Sequence, residues 1–114
     1  MIIILLKTAS SCKRNAELKM TGIIIKTPEQ IGKIHEAGKI LAELYAELKN
    51  YIRPGVSTLQ IDSYAERFIK KRGGYPTFKS VMGYRHATCI AINNEVVHGI
   101  PKKHKIVKRG DIVK

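Results

Sequence analysis

A chain of 114 residues has room for one small domain, and its 44% hydrophobic and 26% charged residues are those of an ordinary globular protein, so disorder is not the default reading. Lys and Arg number 21 against 9 Asp and Glu, a net charge of +12, which turns expectation away from basic partners and towards acidic ones, nucleic acid first. Loss of an acidic remainder would give the same imbalance.

Most of this charge is scattered. Only Lys70-Lys71-Arg72 and the stretch Lys102, Lys103, Lys105, Lys108, Arg109 are dense, and no aromatic residue interrupts the second run to give bases a stacking surface. The two cysteines, Cys12 and Cys89, have neither CxxC nor zinc-knuckle spacing, so a reduced, cytoplasmic setting is the simplest expectation.

The chain opens on Met1-Ile2-Ile3-Ile4-Leu5-Leu6 followed by Lys7. A secretory signal has its charge before a longer apolar run, and no segment is long enough to span a bilayer, so no membrane association is expected. Residues 1–19 hold neither helical nor alternating periodicity for long. Met20 is expected to be the natural start, with 1–19 an extension outside the fold; an added N-terminal strand or arm is the alternative.

From Thr27 the pattern sharpens. Thr27-Pro28-Glu29-Gln30 offers an N-cap, a proline at the first helical position and a glutamine three residues after the cap. Ile31, Ile34, Leu41, Leu44 and Leu48, with Ala37 and Tyr45, recur at helical spacing. Arg53-Pro54-Gly55 ends this helix. Ser57-Thr58-Leu59-Gln60 is a second capping box, and Leu59, Tyr64, Ala65, Phe68 and Ile69 mark the expected face of a second helix. Gly73-Gly74 closes it by supplying positive φ.

Beyond the glycines the texture turns β-like. Ala87–Ile92 and Glu95–His98 flank Asn93-Asn94, which predicts a β-hairpin. A basic loop follows, then the turn Arg109-Gly110-Asp111. Ile112-Val113 reads as the start of another strand, cut in mid-element and without length to meet a partner, which argues for truncation.

Of the four histidines, His35 and His104 read as solvated, and His86 could line a cleft. His98 ends a β-branched run against Gly99 and Pro101, where a rigid bend can present a functional side chain; a purely structural role is its competing reading. The acidic residues form no HExxH, DxD or paired-carboxylate motif, and there is no GxSxG elbow or phosphate loop. The residues contain no self-sufficient catalytic constellation.

Asn93-Asn94-Glu95-Val96-Val97-His98-Gly99-Ile100-Pro101 closely resembles the signature of type I methionine aminopeptidases, metallopeptidases of the pita-bread fold. Thr27–Gly38 is similar to the family's first helix and Arg53–Thr58 to the connection to its second. Pro76–Lys79, Gly83-Tyr84 and Ala87–Cys89 resemble its substrate-pocket segment, and Lys108–Val113 the approach to its metal site. The resemblance runs from about Met20 to Val113.

It implies an α/β (α+β) fold, an incomplete pita-bread of two helices packed on the start of a curved antiparallel sheet, with 20–114 as the N-terminal half of an aminopeptidase domain. It implies a cytoplasmic hydrolase that removes the initiator methionine from nascent proteins by metal-assisted hydrolysis. His98 corresponds to the catalytic, substrate-binding histidine, and Phe78, Tyr84 and Cys89 to the pocket for the methionine side chain, where an apolar, polarisable lining suits a thioether; ordinary core packing is the alternative for these three. The family's two divalent metal ions are held by two aspartates, a histidine and two glutamates. No residue here matches them, Asp111 being a turn residue, so the chain alone is expected to be inactive. Ser80-Val81 stands where the family carries Gly-Tyr, so one pocket tyrosine is missing at Val81. A metal-free peptide-binding remnant and a ribosome- or RNA-binding one are the rival readings.

Overall fold

The computed structural model describes residues 4–6, 25–80 and 83–114. Its elements are a strand β1 (Ile4–Leu6), helix α1 (Pro28–Tyr51), helix α2 (Thr58–Lys71), strand β2 (Gly74–Pro76) and a 3-10 turn over Thr77–Ser80.

Both helices start where the capping boxes place them. The Thr27 side chain accepts from the Gln30 N–H at 3.3 Å while the Gln30 side chain accepts from the Thr27 N–H at 2.9 Å. Ser57 and Gln60 repeat the exchange at 3.2 and 2.9 Å. Each box satisfies amide donors that the first helical turn leaves unpaired. At its far end α1 closes through the Ile52 N–H on the Leu48 carbonyl, and Gly73, at φ +76°, turns the chain out of α2. Gly74 is not part of that stop but the first residue of β2.

The core lies where the second half of α1 crosses α2. Leu44 and Leu48 meet Ile61, Ala65 and Ile69, with Ile90 and Val107 closing the cluster from the irregular second half. The buried stripe of α2 is therefore Ile61, Ala65 and Ile69: Ala65 and Ile69 belong to the expected face, Ile61 is added to it, Tyr64 and Phe68 pack half-buried against the cluster, and Leu59 is only half-buried. Ile31 and Ile34, at the opposite end of α1, are 56% and 60% exposed, so the apolar spacing extends beyond the part of the helix that packs.

The β part departs most from expectation. The Asn93-Asn94 turn forms, with Asn93 at φ +54° and the Glu95 N–H donating to the Ile92 carbonyl at 3.0 Å. Glu95–His98 does not continue as a regular strand, and Val96 and Val97 are exposed. Instead Ala91 exchanges both backbone bonds with Lys114, at 2.9 and 2.8 Å, and the Asn93 N–H donates to the Ile112 carbonyl at 2.9 Å. The Ile112-Val113 segment thus does find a partner, contrary to the expectation that it had no length to meet one. Asn93 reinforces the pairing, its side chain accepting from the Ile112 N–H and donating to Asp111.

A second antiparallel contact joins the link between the helices to the basic loop. The Gly55 N–H donates to the Val107 carbonyl, the Val107 N–H to the Val56 carbonyl, and the Thr58 N–H to the Lys105 carbonyl. The described residues thus have mixed helical and extended structure, the only named strands among them being β1 and β2.

Three residues of the stretch read as an extension, Ile4–Leu6, pair antiparallel with Gly74–Pro76. Met20 and Val81, on which the expected start and the missing pocket tyrosine rest, lie outside the described residues.

Candidate active site

The site begins with a carboxylate inside α2. Asp62 follows the core residue Ile61 and is only 3% exposed. Its Oδ1 accepts from the Ala87 and Thr88 N–H groups at 2.9 and 2.8 Å and from the Thr88 hydroxyl at 2.7 Å. Oδ2 lies 3.1 Å from His86 Nδ1. A buried carboxylate without such partners would be strongly unfavourable; with them, it binds residues 86–88 to the helix.

That attachment orders the segment carrying the pocket candidates. The Tyr84 hydroxyl donates to the Thr88 carbonyl at 2.8 Å, and the Cys89 thiol lies 3.5 Å from the same hydroxyl oxygen. Phe78 meets Tyr84 edge-on, ring centroids 6.2 Å apart, and His86 meets the same ring from another side at 5.6 Å. Burial, with Cys89 adding to it, pushes the Tyr84 phenol well above its usual range, so it stays a neutral donor at all ordinary pH. Thr77 Oγ1, next to Phe78 in sequence, is buried with no hydrogen-bond partner. Cys89 also lines an apolar groove of about 250 Å³ with Leu48, Ile52, Ile61, Ile90 and Val113.

The structure therefore brings Phe78, Tyr84 and Cys89 together. It sets His98 nearby along the backbone: the Ile90 N–H, next to Cys89, donates to the carbonyl of Gly99, next to His98, at 2.8 Å. Gly99 is required by contact and not by φ, because a Cβ there would sit 2.1 Å from the Ile90 carbonyl oxygen. His98 itself is exposed. His86 joins this cluster through Asp62 and the Tyr84 ring.

Asp62 is the residue that sequence reasoning missed. Its signal was a carboxylate in register with the buried positions Thr58, Ala65 and Ile69, where a solvated acid has no place.

Asp111 and Glu95 are committed to a turn and to a surface pair. Asp111 accepts from Asn93 at 2.8 Å and from the Lys108 N–H at 2.7 Å, and these bonds hold its carboxyl below the usual range. Glu95 accepts from Lys105 at 2.8 Å and from the Ile92 N–H at 2.9 Å, with the same effect. Among the described residues no three of His, Cys, Asp and Glu converge where a metal ion could be held. Nor is any described helix long and apolar enough to cross a membrane.

Comparison with known proteins bears on this geometry. The profile of metallopeptidase family M24 matches residues 32–114. Over 91 residues the chain is 50% identical to methionine aminopeptidase 1 of Bacillus subtilis and 44% identical to the methionine aminopeptidase of Clostridium perfringens, covering 80% of this chain and 36% of each relative. Among solved structures, methionine aminopeptidase from Thermotoga maritima superposes with a TM-score of 0.77 at 42% identity, covering 81% of this chain and 37% of that one. The enzyme from Rickettsia prowazekii gives 0.75 at 33% identity, with the same coverage. The chain thus spans about a third of the length of the relatives it matches.

Proposed function

The chain belongs to metallopeptidase family M24, and on that premise we propose that it is the N-terminal part of a methionyl aminopeptidase that removes the initiator methionine from nascent proteins. The observation that carries this reading is the joined cluster of Phe78, Tyr84 and Cys89. Two aromatic rings and a thiol give a thioether an apolar, polarisable surface, and a phenol kept neutral adds no charge that would repel it.

In this reading His98 binds the substrate beside the scissile peptide. Its exposed ring can donate a hydrogen bond to the peptide and steady charge that develops on it. Gly99, held against Ile90, fixes the backbone from which His98 projects. Asp62 and Thr88 set the pocket segment through the Tyr84 hydroxyl, without touching substrate.

Divalent ions, two per site by the resemblance, would supply the activated water in a complete enzyme. The described residues do not fit such a centre. Its ligands would have to come from the remainder of a protein of the relatives' length, which would also cover Val96, Val97 and Ile112, exposed here, and extend the extended segments into the curved sheet of a pita-bread fold. Residues 20–114 form the domain half in this reading, since the packed core runs from Leu41 to Val113, and 1–19 are an extension to it. A cytoplasmic location accords with an enzyme acting on nascent chains.

The test is methionine release from a Met-Ala-Ser peptide with manganese or cobalt, together with L-methionine protection of Cys89 against iodoacetamide in a Cys12→Ser background. The expected result is protection without release above a metal-only blank. Release by the 114-residue chain, lost in His98→Ala, would overturn the proposed inactivity of the chain alone. Absence of protection, with the fold intact by circular dichroism, would overturn the pocket.

A further inference from the structure

Helix α2 holds both walls of the pocket cluster, each through one carboxylate. Asp62 fastens residues 86–88 and, through the Thr88 carbonyl, the Tyr84 hydroxyl. Glu66, four residues on and so on the same face of the helix, reaches the turn that carries Phe78. Lys79 Nζ donates to both of its carboxylate oxygens at 2.9 Å. The pair is partly screened from water, the side chains of Lys79 and Glu66 being 29% and 19% exposed. Glu66 also pairs with Lys70 along the helix at 2.6 Å, but that lysine is 57% exposed. Together Lys70 and Lys79 hold the Glu66 carboxyl below its usual range against its partial burial.

The turn Thr77–Ser80 has little else to place it. Pro76 before it is buried at the end of β2, and the Ser80 hydroxyl donates to the Thr77 carbonyl at 2.6 Å, within the turn itself. Among the described residues, the side-chain hydrogen bonds from this turn to another element are the two from Lys79. Thr77 Oγ1, though buried, makes none. Phe78 lies between Thr77 and Lys79, half-buried, and meets Tyr84 edge-on. An edge-on ring pair adds only about 1 kcal/mol, comparable to the cost of ordering a single residue of the turn. The place of the Phe78 ring therefore depends on the Lys79 anchor.

We propose that Lys79, anchored on Glu66, is a specificity-determining positioning residue: it sets where the Phe78 ring stands against Tyr84 and Cys89, and so which side chains the pocket admits. The inference rests on the aminopeptidase reading for its ligand, and Lys79 itself touches no substrate. The structure supplies its own control. Lys70 pairs with the same carboxylate but lies on the exposed side of the helix and carries no part of the pocket.

The test has two readouts on the 114-residue chain in the Cys12→Ser background. The first is the nuclear Overhauser contact between the Phe78 and Tyr84 rings. The chain has two phenylalanines, each beside a different tyrosine, so the Phe68–Tyr64 contact is an internal standard. Lys79→Met should weaken the Phe78–Tyr84 contact and leave the standard unchanged. The second readout is protection of Cys89 against iodoacetamide by L-methionine and by the bulkier L-phenylalanine. Lys79→Met should lower the preference for methionine by about fivefold, because the wall that excludes the wider side chain has moved; a general loss of folding would lower protection by both alike. Lys79→Arg, which keeps the pair, and Lys70→Met should each change the preference by less than about twofold. Glu66→Gln, which keeps the shape and loses the charge, should repeat the Lys79→Met loss in weaker form. A Phe78–Tyr84 contact that survives Lys79→Met, or equal losses from Lys70→Met and Lys79→Met, would overturn the inference. Absence of methionine protection in the unsubstituted chain, with the ring contact still dependent on Lys79, would overturn the aminopeptidase pocket instead.

Discussion

The helical part, Pro28–Lys71, and the extended part, Gly74–Lys114, are held by different means. In the first, the backbone bonds within each helix span no more than four positions, and the caps, the proline and the glycine stop are visible in sequence order. In the second, backbone segments far apart in sequence meet through two isolated bridges and a few polar side chains: Asp62 on residues 86–88, Thr58 on Lys102, Asn93 on Asp111 and Ile112. The difference teaches that the extended part depends on helix α2 for its shape, while the helices take from the extended part Ile90 and Val107 in the core and the donors that satisfy Asp62.

Asp62→Ala should break the comparison most sharply. It removes the acceptor of two backbone donors and a hydroxyl in a buried place, so a loss of roughly 4 kcal/mol is expected by urea unfolding. Under mild conditions the Cys89 thiol should react faster before the helical signal falls. Equal loss of helix and Cys89 protection would mean that the two parts do not separate.

Leu44→Ala, at a fully buried position, should cost roughly 3 kcal/mol, against less than about 0.5 kcal/mol for Ile31→Ala in the same helix. Similar costs would show that the first turns of α1 are packed in solution. Smaller than the cost at Leu44, Ser57→Ala should cost about 1 kcal/mol and Thr27→Ala somewhat less, because the Ser57 cap also orders the link that pairs with the basic loop, whereas the Thr27 cap is exposed.

Acid should act last and mainly on the extended part. Glu95 and Asp111 have carboxyls depressed below their ordinary values of 4.5 and 3.8. Their contribution is therefore complete above those values and is lost as pH falls through the lower, folded ones. Urea midpoints should fall in that acid window, by less at high salt because both groups are partly open to solvent. In Glu95→Gln the fall should be smaller; an unchanged acid profile would remove Glu95 from the account.

By itself the sequence determined both helices, their caps, the Gly73 stop and the Asn93-Asn94 turn, because each depends on bonds spanning three or four residues. The same local reading joined Phe78, Tyr84, Cys89 and His98 only through family resemblance. It found Ala65 and Ile69 but missed Ile61 between them and Leu59, since helical spacing accommodates more than one apolar face and the choice among them is made by what packs against it. Only the tertiary structure decided that Ile112–Lys114 pairs with Ala91–Asn93, that Asp62 faces inward, and that Thr58 holds the loop at Lys102. Those contacts join residues about twenty to fifty positions apart, and no local pattern encodes which distant segment will satisfy a given amide, carboxylate or ring once water has been excluded.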